Sequence, residues 1–353
     1  MVEFWRLGGA PVPFTGLSAT AARLEGLGWD GMAFSEGQGG APDLYVSMAV
    51  AALGTSRLKV GTGVAVPTRP TQVTANAMAT VHGISGGRAT FTIGRGDGAM
   101  HQLGRNPMNR EAFEIYVTQL QQYLRREVVM LGDFASTLSS LFERDRSLDI
   151  AKPKVEIAAT GPKVIDIAAR VADGVSFSVG ANPERLAAVM STARERRQAA
   201  GLDPSAMTLS CFIPIAVGTT PEQVHEARDH IRGAVMTQSR FTAFPGAPRD
   251  GLDQSEAKVV ERAVVELAAA YRTHGSRWRD GGSGYPTDFV DDDFVDRFAV
   301  VGSPARCAER LQEIIDLGFT KLVLITKTPG RDPDESNAAR IAQEVFPLLR
   351  HPA

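Results

Sequence analysis

What most constrains this chain is an order of elements repeated eight times. A short β-branched run ends in a glycine-rich turn, and an amphipathic helix follows. Phe4–Gly8 leads to a helix near Gly16–Gly28, Gly31–Glu36 to one over Asp43–Gly54, and Leu58–Val66 to one over Thr71–Ile84. Ala89–Gly94 precedes a helix around Asn109–Leu124, Val155–Ala159 one over Pro162–Ala172, and Gly174–Val179 one over Pro183–Ala200. Met207–Val217 is followed by Pro221–Val235, and Lys321–Thr326 by Glu335–Leu349. Thr220-Pro221, Asn182-Pro183 and Ser303-Pro304 each set a capping side chain before a proline in the first helical turn. Gly28 and Gly318 stand where a helix end wants a left-handed residue. Eight such units predict an α/β fold of the (β/α)8 TIM-barrel type with insertions. A doubly wound sheet is the alternative, but it rarely runs to eight units without a break.

A barrel of this kind needs roughly 250 residues, and the chain has 353. Met130–Pro153 and Met236–Phe298 hold the surplus, and no linker rich in Pro, Ser or charge divides the chain. The expectation is one domain over 1–353 with its main insertion at about 236–298. That excursion has a helix near Ser255–His274, and Phe241, Phe244, Trp278 and Tyr285 either line a pocket or pack a small core of their own. Its acidic run, DFVDDDFVD, reads as a solvated face rather than a metal site.

Charge and cysteine content exclude several classes. Lys+Arg number 38 against 40 Asp+Glu, a net charge of −2, which argues against a nucleic-acid partner or an anionic membrane surface. The most apolar run, Leu44–Leu53, is too short to span a bilayer. Two distant cysteines, Cys211 and Cys307, suit a reducing compartment and buried thiols. With no signal-peptide pattern at MVEFWRLGG, a cytoplasmic protein is expected.

In a barrel, chemistry collects at the C-terminal strand ends. Those ends read Trp5-Arg6, Ser35-Glu36-Gly37-Gln38, Gly61-Thr62-Gly63-Val64, Gly94-Arg95-Gly96-Asp97, Ala159-Thr160-Gly161-Pro162 and Ser178-Val179-Gly180. Their glycines let backbone approach a planar or phosphorylated ligand. Thr160-Gly161-Pro162-Lys163 enters a helix directly, so it is either an anion site or simply a tight turn. Asp97 is a general acid/base, a cofactor partner or a loop cap. Glu36 faces the same choice, with Arg6 or Arg95 as a possible ion-pair partner. His101 is a catalytic candidate or a solvent-facing loop residue, and His82 reads as structural. No dinucleotide or Walker A pattern, serine triad or metal-ligand spacing stands out.

The run RLKVGTGVAVPTRPTQVTANAMATVHGISGGRATFTIGRGDGAMHQLG resembles the luciferase-like monooxygenase superfamily, nearest its methylenetetrahydromethanopterin reductase-like branch of deazaflavin-dependent enzymes. VEIAATGPKVIDIAARVADGVSFSVG, FVDRFAVVGSP and ERLQEIIDLGFTKLVLI extend the likeness over nearly the whole chain. The resemblance implies a barrel, often dimeric, that holds FMN or coenzyme F420 at its C-terminal mouth. By position it implies a non-prolyl cis peptide at Gly63–Val64 behind the ring. It puts Gly96 and Asp97 along the ring, and Ala159, Thr160 and Gly161 on the phosphate. Ser178 and Gly180 fall in the next phosphate-side loop, and Arg297 matches an arginine that reaches the phosphate. Many relatives carry a histidine after the acidic residue of strand two, whereas here Glu36 is followed by Gly37-Gln38. Asp97 or His101 would then handle protons. The first expectation is hydride transfer between F420 and a small organic substrate. The others are an FMN-dependent monooxygenase using O2 and a partner flavin reductase, and a non-catalytic cofactor binder.

Overall fold

The computed structural model describes residues 2–8, 14–37, 41–96, 98–145, 148–242, 254–272, 286–326 and 336–350. In chain order its strands are β1 (Glu3–Gly8), β2 (Gly31–Phe34), β3 (Lys59–Thr62), β4 (Ala89–Ile93), β5 (Val129–Leu131), β6 (Phe134–Ser136), β7 (Val155–Ala159), β8 (Gly174–Phe177), β9 (Thr208–Val217), β10 (Val300–Gly302) and β11 (Lys321–Ile325). The helices are α1 (Leu17–Gly26), α2 (Leu44–Leu53), α3 (Thr71–Ile84), α4 (Gly98–Gln102), α5 (Arg110–Leu124), α6 (Ser139–Arg144), α7 (Pro162–Val171), α8 (Pro183–Ala199), α9 (Pro221–Ser239), α10 (Gln254–Arg272), α11 (Asp292–Phe298), α12 (Pro304–Asp316) and α13 (Ser336–Arg340).

Parallel pairing runs β1-β2-β3-β4-β7-β8-β9-β11 and returns from β11 to β1, so the sheet closes into an eight-stranded (β/α)8 barrel. That closure excludes the doubly wound alternative. The expected caps are present: Asn182, Thr220 and Ser303 accept from the N–H of Arg185, Gln223 and Arg306. Gly28 and Gly318 have φ of +90° and +95° at helix ends. The Met130–Pro153 stretch forms the β5–β6 hairpin and α6.

The seventh unit departs from simple alternation. β9 is ten residues long, and its last three, Ile215–Val217, pair with the short β10. α12, which follows β10, buries Cys307, Leu311 and Ile314 in the outer strand–helix layer. α9 instead packs with α10 and α11, so the core of the excursion begins before Met236. That core is continuous with the barrel lumen: Ile231, Val235, Val260, Phe294 and Phe298 join Trp5, Ala33, Phe212 and Val323. α10 also touches α4, which follows β4, so the excursion reaches across the C-terminal rim.

The lumen is filled in layers. At its N-terminal end the buried Glu156 meets Lys321 at 2.9 Å and accepts from Ser210 at 2.9 Å, Thr92 at 3.2 Å and Thr208 at 3.3 Å. The Lys321 ammonium also stands 5.0 Å from the centre of the Trp5 ring. Trp5 fills the next layer because β2 and β3 carry no side chain there. A Cβ at Gly31 or Gly61 would lie 2.3 or 2.6 Å from the indole. Gly31→Ala should therefore lower stability by about 1–3 kcal/mol through overpacking. Thermal unfolding measures this, and an unchanged midpoint would refute the fit described.

Candidate active site

Above Trp5 the lumen narrows to an apolar layer, and the strand ends begin. A Cβ at Gly63 would come 2.8 Å from Leu7, 3.1 Å from Ala33 and 3.4 Å from Phe212, so glycine is required there by the protein's own packing. The Gly63–Val64 peptide bond is cis. The loop it opens is stitched to both neighbouring strands. Gly63 N–H donates to Phe34 O at 2.6 Å, Ala65 N–H to Thr92 O at 2.9 Å, and Gly94 N–H to Ala65 O at 2.9 Å.

The end of β2 holds the same loop from the side. The Ser35 hydroxyl donates to Gly63 O at 2.8 Å, and Glu36 N–H donates to Val64 O at 3.1 Å. The half-buried Glu36 carboxylate accepts from Val66 N–H at 2.8 Å and from the Thr68 hydroxyl at 2.7 Å. Nearby, Arg69 stacks over Tyr45 at 4.8 Å and pairs with Asp43. The Tyr116 hydroxyl lies 2.7 Å from Thr74 Oγ1. Burial, reinforced by the Glu36 charge, drives the Tyr45 phenol far up and pushes Tyr116 up to about 12. Both rings are therefore neutral walls of this corner.

At the end of β4, Gly96 has φ +91°, and a Cβ there would sit 2.5 Å from Met100. Arg95 Nε donates to Met108 O at 2.6 Å. Asp97 lies outside the described residues, as do Gln38, Phe244, Trp278 and Tyr285. His101 is exposed on α4. At the end of β7, Ala159 is buried, Thr160 and Gly161 are half-buried, and α7 starts at Pro162. A Cβ at Gly161 would meet nothing within 4 Å, unlike those at Gly63, Gly96 and Gly180. The helix start is thus open space next to the exposed Lys163.

Past β8, Ser178 is half-buried, and Gly180, at φ +81°, lies against Phe298. Ala181 N–H donates to Phe298 O at 2.8 Å, tying this loop to α11. Arg297 projects from α11 and pairs at 2.8 Å with Glu256 of α10, a buried carboxylate. Glu256 also acts on the charge of the buried Arg185, whose Nη1 donates to Val179 O at 3.0 Å. Sequence reasoning gave no role to Ser35, Thr68, Arg185 or Glu256. Ser35 and Thr68 were visible beside glycine and cis-loop positions, whereas nothing local marks the other two.

The remaining candidates have structural partners. Asp291 caps α11, Asp292 pairs with Arg232 at 2.6 Å, and Asp296 pairs with Arg228 at 2.8 Å, so the acidic run is built into ion pairs. Among the described residues no His/Cys/Asp/Glu group is arranged to hold a metal, and no helix is long and apolar enough to cross a membrane. Both cysteines are buried, which raises the Cys211 thiol well above its ordinary value and pushes Cys307 up to about 12. Phe241 is half-buried beneath the Arg240 guanidinium.

A closed barrel whose strand ends carry a stitched glycine loop and an open helix start offers a small-molecule site at its C-terminal mouth. The chain belongs to the luciferase-like monooxygenase family, whose model matches residues 2–321. It is 27% identical over 322 residues to 5,10-methylenetetrahydromethanopterin reductase of Archaeoglobus fulgidus, covering 87% of this chain and 88% of that one. It is 24% identical over 286 residues to the enzyme of the same name from Methanolobus tindarius, covering 80% and 81%. The solved coenzyme F420 dependent tetrahydromethanopterin reductase of Methanopyrus kandleri superposes with a TM-score of 0.71 at 19% identity, covering 99% of both chains.

One histidine serves the fold itself. His82 Nε2 lies 2.9 Å from Ala151 O, and burial depresses the imidazole below its ordinary value of 6.5. The unfolded chain therefore takes up this proton first. Stability at this site is complete above the unfolded value and is lost as pH falls through it towards the depressed folded one. Denaturant unfolding between pH 8 and 5 should show that fall, and His82→Gln should flatten it. Equal pH dependence in both proteins would contradict the assignment.

Proposed function

We propose that the protein moves a hydride between bound coenzyme F420 and a small organic substrate. The observation that carries this reading is the open α7 start at Gly161, on the same rim as the Gly63–Val66 loop. A flat ring with a phosphorylated tail suits that donor set. Gly63, Val64 and Gly96 would back and flank the ring, and Ala159, Thr160, Gly161, Ser178 and Gly180 would surround the phosphate. Arg297 would add charge there while shared with Glu256. A sequence relative named F420-dependent glucose-6-phosphate dehydrogenase, of Kineococcus radiotolerans and 25% identical over 324 residues, supports F420 in particular.

When bound, the deazaflavin supplies the hydride chemistry. The chain's own part is to hold the ring, exclude water beneath it with the Leu7–Phe212 layer, and handle the proton. Asp97 is the proposed proton partner, with His101 as the second candidate. The family's monooxygenase description favours a second reading, in which FMN reduced by a partner reductase reacts with O2. Titration with oxidised F420 and with FMN separates the two: F420 should quench on binding, and tight FMN binding without an F420 response overturns the first reading. Asp97→Asn should cost turnover about 10²–10⁴-fold while cofactor affinity changes little. Equal turnover in wild type and variant would remove Asp97 from the mechanism.

The same reading includes a homodimer. α2 and α3 contain no Asp, Glu, Lys or Arg, although 22% of the chain is charged. Val46, Val50 and Leu53 form an exposed stripe along α2, and Val73 is exposed on α3. Surface helices ordinarily turn charged faces to water, so a second copy covering this face accounts for the composition. Light scattering should give twice the chain mass, falling to one chain in Leu53→Glu. A monomeric wild type at micromolar concentration would dismiss the dimer.

A further inference from the structure

Its place at the end of β2 makes Glu36 a catalytic candidate, yet its contacts point to different work. Its two oxygens are taken by Val66 N–H at 2.8 Å and the Thr68 hydroxyl at 2.7 Å. Its own N–H holds Val64 O at 3.1 Å, and the adjacent Ser35 hydroxyl holds Gly63 O at 2.8 Å. Two consecutive residues at the end of β2 thus grip the neighbouring loop at Gly63, Val64, Val66 and Thr68. β4 grips the same loop from its other side through Thr92 O and Gly94 N–H.

We propose that Glu36 is a positioning residue. With Ser35 it fixes the height and tilt of the Gly63–Val66 loop, and acts on a bound ring through that backbone rather than by moving a proton. This rests on the reading that a deazaflavin or flavin ring lies against the loop. Among the described residues, the charged and titratable neighbours of Glu36 named above fit this role. Tyr45 and Tyr116 are neutral phenols, and Arg69 is engaged with Asp43.

The test uses the difference between holding and proton transfer. Glu36→Gln removes the charge but keeps the clamp, because its amide oxygen can accept from Val66 N–H while its NH2 donates to Thr68 Oγ1. Glu36→Ala removes the clamp. Affinity for oxidised F420, FMN and riboflavin is read by fluorescence quenching between pH 5 and 8. Hydrogen exchange at Val66 N–H is read in the ligand-free protein. Glu36→Ala should weaken binding about 10-fold or more. The loss should be equal for FMN and riboflavin, since it concerns the ring and not the phosphate. Glu36→Gln should stay close to wild type in affinity, pH profile and Val66 protection, and Thr68→Val should fall between the two. If Glu36→Gln loses affinity as Glu36→Ala does, or if Glu36→Ala changes neither affinity nor protection, the proposal is overturned. A wild type that binds none of the three ligands overturns the functional reading instead, while lost Val66 protection in Glu36→Ala would still establish the clamp.

Discussion

A carboxylate set in the floor of the barrel organises what stands above it. Glu156 on β7 is met by Lys321 from β11, Thr92 from β4, and Thr208 and Ser210 from β9. Side chains from three strands therefore converge on one buried charge, and each oxygen has hydrogen-bond donors. Removing one partner of such a pair is costly, whereas the intact, fully bonded group is tolerated inside a protein. Because Lys321 also faces the Trp5 ring, the polar floor sets the level of the first apolar layer. Trp5 then requires glycine at positions 31 and 61, and the layer above requires it at position 63.

The mouth inherits this order. The Gly63–Val66 loop is not a flexible connection, because backbone bonds to β2 and β4 and side-chain bonds from Ser35 and Glu36 leave it little freedom. Two strands further round the same rim the α7 start is different in kind, with open space at Gly161 among the described residues. One side of the mouth is rigid and built from backbone, and the other leaves room for an anion. That asymmetry is what a ligand with a flat head and a charged tail would exploit.

Much of the fold was legible because it depends on local rules. Periodicity placed the eight units, and the Ser/Thr/Asn-Pro pairs marked helix starts whose caps are all formed. β10 escaped notice because three residues, Val300–Gly302, are too few to show a period. α9 was legible as a helix but not as part of the excursion, since its sequence does not tell which core its apolar face joins. The site was legible in outline through the strand-end glycines. Even so, packing against the protein's own side chains explains Gly63, Gly96 and Gly180, a cause that sequence cannot distinguish from ligand approach. Glu256 and Arg185 are about seventy residues apart, and only the closed fold brings their charges within range of one another.

The continuity between the lumen and the excursion has an evolutionary consequence. Phe212 and Ala33 beneath the mouth share one apolar core with Val235, Phe294 and Phe298 of the helices above it. In many barrels a loop insertion can be exchanged without disturbing the staves. Here the roof over the site and the floor under it are parts of one packed body. Any remodelling of α9–α11 must therefore remain compatible with the residues that support Gly63, which ties the excursion to barrel integrity.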